Sequence, residues 1–152
     1  MNTDPKSYAK SNKIETVDYC RFSKVEYKRL LQCDERLLNR QLLAQSLCDY
    51  LCGKYGIPFV NVIVTDKPQP HATNGSRLVR KTFGHYKPLH HVITMYNKTA
   101  VRKQVVSINT FVNTLLHEFM HHYDMTYLKL STTPHTAGFY KRIADLKNKL
   151  EK

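Results

Sequence analysis

Two imidazoles four residues apart, with a carboxylate beside the first, are the residue types from which a hydrolytic metal centre is built. This chain has that pattern once, at His117-Glu118-Phe119-Met120-His121. On an α-helix, positions i and i+4 share a face, so both rings reach a single ion. Glu118 sits beside that edge, where a carboxylate takes a proton from a metal-bound water.

A helix must hold these side chains. Upstream, Ser107, Asn109 or Thr110 offers an N-cap. Phe111, Leu115 and Phe119 then recur at helical spacing, with Val112, Leu116 and Tyr123 further round. Neither Gly nor Pro interrupts residues 107–130. The spacing predicts an amphipathic helix that a core keeps rigid, as a metal site requires.

A catalytic zinc takes three protein ligands and keeps a fourth position for water. No Glu lies between Glu118 and Glu151, and the residue three after His121 is Asp124 rather than Gly. The main candidate for third ligand is His135, with Asp124 and Asp145 as alternatives. Pro134 suits the edge of a helix, so His135 falls near the start of a second helix running to about Leu150. A helix, a loop and a returning helix can bring that ring back to the ion. Asp124 also shares the ligand face one turn on, where its carboxylate either accepts a proton from the non-metal nitrogen of a ligand histidine or is simply solvated. His122 points away from the metal edge and reads as a surface or packing residue.

These residues resemble the SprT-like metalloproteases, which include the Spartan-type proteases that digest proteins crosslinked to DNA. The likeness lies in Leu115-Leu116 before the motif, in His117-Glu118-x-x-His121, and in His135 followed four residues later by Phe139. The strand-like run Val92–Asn97 also fits. The family's His-Gly-Pro-x-Phe-like segment here reads His-Thr-Ala-Gly-Phe, without the Gly-Pro pair. The resemblance spans roughly residues 35–150 and implies one Zn2+ per chain on His117, His121 and His135, with Glu118 as general base. Tyr123, Tyr127 or Tyr140 would then donate to the oxyanion. His91–Tyr96, as the strand nearest the metal helix, would take extended substrate along its edge.

Length and composition bound the rest. A chain of 152 residues reads as one domain with a real core. Mean hydropathy is −0.49 and no apolar run approaches the 18 or so residues of a membrane span. Met1–Ser7 has no apolar stretch, so a cytoplasmic monomer without membrane attachment is expected. Cys20, Cys33, Cys48 and Cys52 lack the CxxC pairing of the zinc ribbon that many bacterial SprT-like proteins carry. Core thiols without disulfides are expected instead.

Lys and Arg number 24 against 12 acids, a net charge of +12 with a pI near 9.6. Such a field favours polyanions and salt-dependent binding. Arg77, Arg80, Lys81, Lys87, Arg102 and Lys103, with Lys141, Arg142, Lys147 and Lys149, are the candidate contacts for non-specific nucleic acid. No motif for sequence-specific reading occurs. His71, His85, His90 and His91 read as ordinary surface histidines.

Along the chain, residues 1–30 read as a basic, partly ordered arm and residues 31–152 as the SprT-like domain. A helix is predicted from Asp34 as N-cap to Gly53, with Leu38, Leu42, Leu43, Leu47 and Leu51 inward. Phe59–Val64 reads as a buried strand, Lys67–Gly75 as a loop, and Arg77–Phe83 and His91–Tyr96 as further strands. The sum is an α+β chain with a zincin-like core: an N-terminal helix, a small three-stranded sheet, the HExxH helix and a C-terminal helix. The leading expectation is a zinc endopeptidase acting on protein or peptide associated with nucleic acid. The alternatives are a minimal zinc peptidase with no nucleic-acid role, and a basic nucleic-acid-binding protein with a structural or degenerate zinc site.

Overall fold

The motif helix is the best-determined consequence of the sequence. In the computed structural model, which describes residues 4–19 and 21–152, it is α4 (Ile108–Thr126). Ser107 is its N-cap, its hydroxyl accepting from the Thr110 amide at 3.3 Å. Phe111, Val112, Leu115, Leu116, Phe119 and Tyr123 are all buried, which is the predicted face. Before it come α1 (Pro5–Lys13), α2 (Val25–Leu31), α3 (Leu37–Tyr55), β1 (Asn61–Pro68), β2 (His71–Asn74), β3 (Arg77–Lys81), β4 (Gly84–Lys87) and β5 (Val92–Lys98). The last element is α5 (Ala137–Glu151). The chain is α+β, as predicted.

The sheet that supports α4 differs from expectation in membership. Its order is β1-β5-β4, with β1 and β5 parallel and β4 antiparallel to β5. The predicted strand Arg77–Phe83 instead pairs with β2, inside the predicted loop, as a separate two-stranded hairpin. Gly75, at a φ of +65°, makes its turn. β5 is therefore central, and its expected role as the open edge passes to β4.

The other edge is closed by side chains. Gln41 and Gln45, one turn apart on α3, imitate a neighbouring strand. Gln45 accepts from the Val62 amide at 2.8 Å and donates to the Val60 carbonyl at 2.9 Å. Gln41 accepts from the Val64 amide at 2.7 Å and donates to the Val62 carbonyl at 2.5 Å. These bonds satisfy the polar groups of an edge that is otherwise a template for pairing.

Two expectations about the N-terminal half are corrected. Pro5–Lys13 and Val25–Leu31 form α1 and α2 and belong to the fold, and Val17 and Phe22 between them join Tyr27 and Leu30 in the core. On α3 the N-cap is Arg36 rather than Asp34, and the helix runs through Gly53 to Gly56, whose φ of +63° ends it. Leu38 and Leu42 are 67% and 58% exposed. The buried stripe is Arg40, Ala44, Leu47, Cys48, Leu51, Cys52 and Tyr55. Arg40 is admitted because its guanidinium donates to Asn97 Oδ1 at 2.9 Å and the Val106 carbonyl at 2.6 Å, and lies over the Phe111 ring.

Cys48 and Cys52 are buried free thiols and Cys33 is a half-buried one, whereas Cys20 lies outside the described residues. Burial raises the pKa of the Cys48 and Cys52 thiols. Among the described residues, no helix is long and apolar enough to cross a membrane.

Candidate metal centre

Helix α4 sets His117 and His121 one turn apart, and the loop between α4 and α5 returns His135 to face them. His135 Nε2 lies 3.2 Å from His117 Nε2 and 3.0 Å from His121 Nε2. All three donor atoms fall within 4.8 Å of one another, and together they can hold a metal ion. A tetrahedral ion with bonds of 2.0–2.1 Å sets its ligand nitrogens about 3.3 Å apart, close to the two distances from His135. Asp145 is engaged elsewhere, accepting from the Val17 amide at 2.9 Å and from Lys149 at 2.8 Å.

The rings rest on a common floor. Phe139, fully buried, has its ring centroid 5.1 Å from that of His117, 4.7 Å from His121 and 5.2 Å from His135. Its place is fixed by the start of α5, where the Thr136 hydroxyl accepts from the Phe139 amide at 3.0 Å. Burial holds the histidines neutral, the form that binds metal. It is the main cause lowering His117 to about 4 and His121 to about 3, with the neighbouring histidines adding to it. His135 is lowered by the same cause.

Glu118 is buried on the same helix, and burial raises its carboxyl to about 7. It faces a cleft of about 620 Å³ walled by Gly84, His85, Tyr86 and Pro88 on one side and by residues 131–135 on the other. A second cleft, of about 610 Å³, adjoins it and shares Gly84, His117, Glu118 and His135. Together they make one groove across the histidines, with β4 along its wall. Gly84 is required for that approach, because a Cβ there would lie 2.8 Å from the Thr94 carbonyl oxygen and 3.2 Å from the Thr114 methyl.

Asp124 is fully buried rather than solvated, and it does not touch a ligand histidine directly. His121 Nδ1 meets Thr133 Oγ1 at 2.8 Å, and Thr133 donates to Asp124 Oδ2 at 3.1 Å. Arg142 grips both carboxylate oxygens, at 3.2 and 2.7 Å. Burial raises the Asp124 carboxyl against the pull of Arg142, whose two N–H contacts favour the ionised form. Thr133 carries no ligand signal in the sequence, being a threonine directly before Pro134 in a polar loop.

His122 is a packing residue, fully buried. Its Nε2 donates to the Pro58 carbonyl at 2.7 Å, which leaves Nδ1 to accept from the Tyr86 hydroxyl at 2.7 Å. Of the three tyrosines considered as donors, Tyr123 and Tyr127 bind Asp18 instead. Tyr140 is half-exposed, with its ring 6.1 Å from that of His117 and 5.9 Å from that of His135. His85 is a wall of the cleft rather than an ordinary surface histidine.

Comparison with protein-family models, with curated proteins and with solved structures finds no match.

Proposed function

We propose that this chain is a zinc-dependent endopeptidase of the SprT-like type, built on a zincin-like core. The observation that carries this reading is the convergence of three Nε2 atoms beside a buried carboxyl in an open groove. Zinc bound there would supply a Lewis acid that lowers the pKa of its water to about 7. Glu118 accepts the proton as water attacks the scissile carbonyl carbon, and passes it to the amine as the C–N bond breaks. The Glu118 carboxyl, raised by burial, would titrate lower beside a bound cation and so would enter the reaction as a base. Tyr140, whose ring lies 6.1 and 5.9 Å from those of His117 and His135, is the proposed donor to the oxyanion.

The substrate is an extended protein segment. Phe83 O accepts from the Tyr96 amide, so the alternation of the antiparallel ladder turns the backbone groups of Gly84 and Tyr86 away from β5. Those groups, on the edge that α3 does not cover, offer a peptide the hydrogen bonds of an added strand. The test is cleavage of an unstructured protein by the zinc-loaded chain, stopped by a chelator and restored by zinc. A loaded chain that cleaves nothing would favour the alternative of a nucleic-acid-binding protein with a structural site.

A nucleic-acid role is supported by how charge is distributed. Between Asp66 and Glu118 there is no acidic residue, while eight Lys or Arg occur, so this stretch carries most of the net charge. It includes the β2–β3 hairpin, where Arg77, Arg80 and Lys81 are exposed, and Lys81 also lines the groove. With two or three phosphate contacts, affinity for a labelled DNA duplex is expected to fall roughly 10- to 40-fold between 50 and 200 mM salt. Fluorescence anisotropy reads this directly. No binding at 50 mM would leave a peptidase without a nucleic-acid role.

A further inference from the structure

The outward nitrogen of His121 begins a chain of hydrogen bonds whose directions are all determined. When Nε2 gives its lone pair to a metal, the ring proton sits on Nδ1, which donates to Thr133 Oγ1 at 2.8 Å. Thr133 has one proton, and it goes to Asp124 Oδ2 at 3.1 Å. Asp124 is held by Arg142 through Nε and Nη2. The remaining guanidinium protons go to the Ser11 carbonyl at 2.6 Å, the Ile14 carbonyl at 2.6 Å and Ser11 Oγ at 3.0 Å. All five donors of Arg142 are used, and the pair is fully buried.

The far end of this chain is α1. Ser11 also meets Thr136, the N-cap of α5, at 2.8 Å, and Ser7 accepts from the Ser131 amide at 3.1 Å. The loop bearing Thr133 and His135 is thus pinned at both ends to the N-terminal helix. Gly138 allows this contact, since a Cβ there would lie 2.1 Å from the Ser11 carbonyl oxygen.

We propose that Thr133 is a positioning residue that fixes the tautomer and ring angle of His121 through a relay anchored on Asp124, Arg142 and α1, and so sets metal affinity. The inference rests on the zinc reading. It gives the outward ring nitrogen of His121 a hydroxyl partner, where direct contact with a carboxylate is the simpler arrangement.

The test is Zn2+ affinity of the full chain, by competition with a chromophoric chelator, for the wild type, Thr133→Val and Thr133→Ser. The valine variant is expected to bind about 10- to 100-fold more weakly. The serine variant, which keeps the hydroxyl, should stay within about threefold of wild type. In the Co2+-substituted proteins, the valine variant alone should show a changed visible spectrum. Wild-type affinity and an unchanged spectrum in Thr133→Val would overturn the proposal. An equal loss in Thr133→Ser would overturn it too, since shape rather than the hydroxyl would then matter. A wild type that binds no zinc would overturn both the relay and the reading beneath it.

Discussion

Glu118→Gln, loaded with zinc, is expected to lose peptide hydrolysis by roughly 10²–10⁴-fold or more while keeping its metal. The amide has nearly the shape of the carboxyl but cannot accept the proton of the attacking water. Its histidine ligands and their floor on Phe139 are untouched, so zinc content should match the wild type. The same substitution has an opposite effect on the stability of the metal-free protein. The Glu118 carboxyl is raised in the fold from 4.5 to about 7, so between those values the folded state binds more protons than the unfolded one. Stability from this group is full below pH 4.5 and is lost as pH rises to 7. Above pH 7, metal-free Glu118→Gln should therefore be more stable than the wild type by about 1–3 kcal/mol, at 1.36 kcal/mol per pKa unit. Chemical denaturation at pH 4 and pH 8 reads the difference, which should vanish at the lower pH. Retained cleavage would remove Glu118 from the role of base.

Arg142→Ala is expected to destabilise the metal-free chain by about 3–5 kcal/mol, because it strips the counterion from a fully buried carboxylate. Two backbone carbonyls, of Ser11 and Ile14, lose their donor at the same time. For a domain whose whole stability is about 5–15 kcal/mol, this loss is severe. The variant Arg142→Ala/Asp124→Ala should be less damaged than the sum of the two single changes, since no lone charge then remains buried. Denaturant midpoints of the four proteins at pH 7.5 measure the coupling. A loss below about 1 kcal/mol in Arg142→Ala would mean that water replaces the guanidinium and that α1 is not fastened through it.

How much of this was legible in the sequence depended on whether burial was apolar. Helix α4 was readable because its inward positions are Phe, Val, Leu and Tyr at helical spacing. Helix α5 was readable from Pro134 and the periodic run after it. Helix α1 was not, because its buried residues are Ser7 and Ser11, whose hydroxyls are satisfied by Ser131 and Thr136 from across the fold. Polar burial of that kind leaves no trace in an apolar period. On α3, leucines occur on both sides, and a buried Arg40 shifts the inward stripe away from Leu38 and Leu42. The strand pairing was beyond local reasoning, since the short β4 could not be separated from β3 by pattern and only non-local contacts choose the partner of β5. At the site, the two motif histidines followed from spacing alone. The convergence of His135 needed the loop geometry, and Thr133 needed the structure.

The most direct test of the three-histidine centre is zinc content per chain in the intact protein and in His135→Ala, purified side by side without added metal. One zinc per chain is expected in the first and a large loss in the second, because two nitrogens on one helix remain where three had converged. Equal zinc in both would contradict the three-histidine centre. No zinc in either, even after reconstitution, would contradict the metallopeptidase reading as a whole.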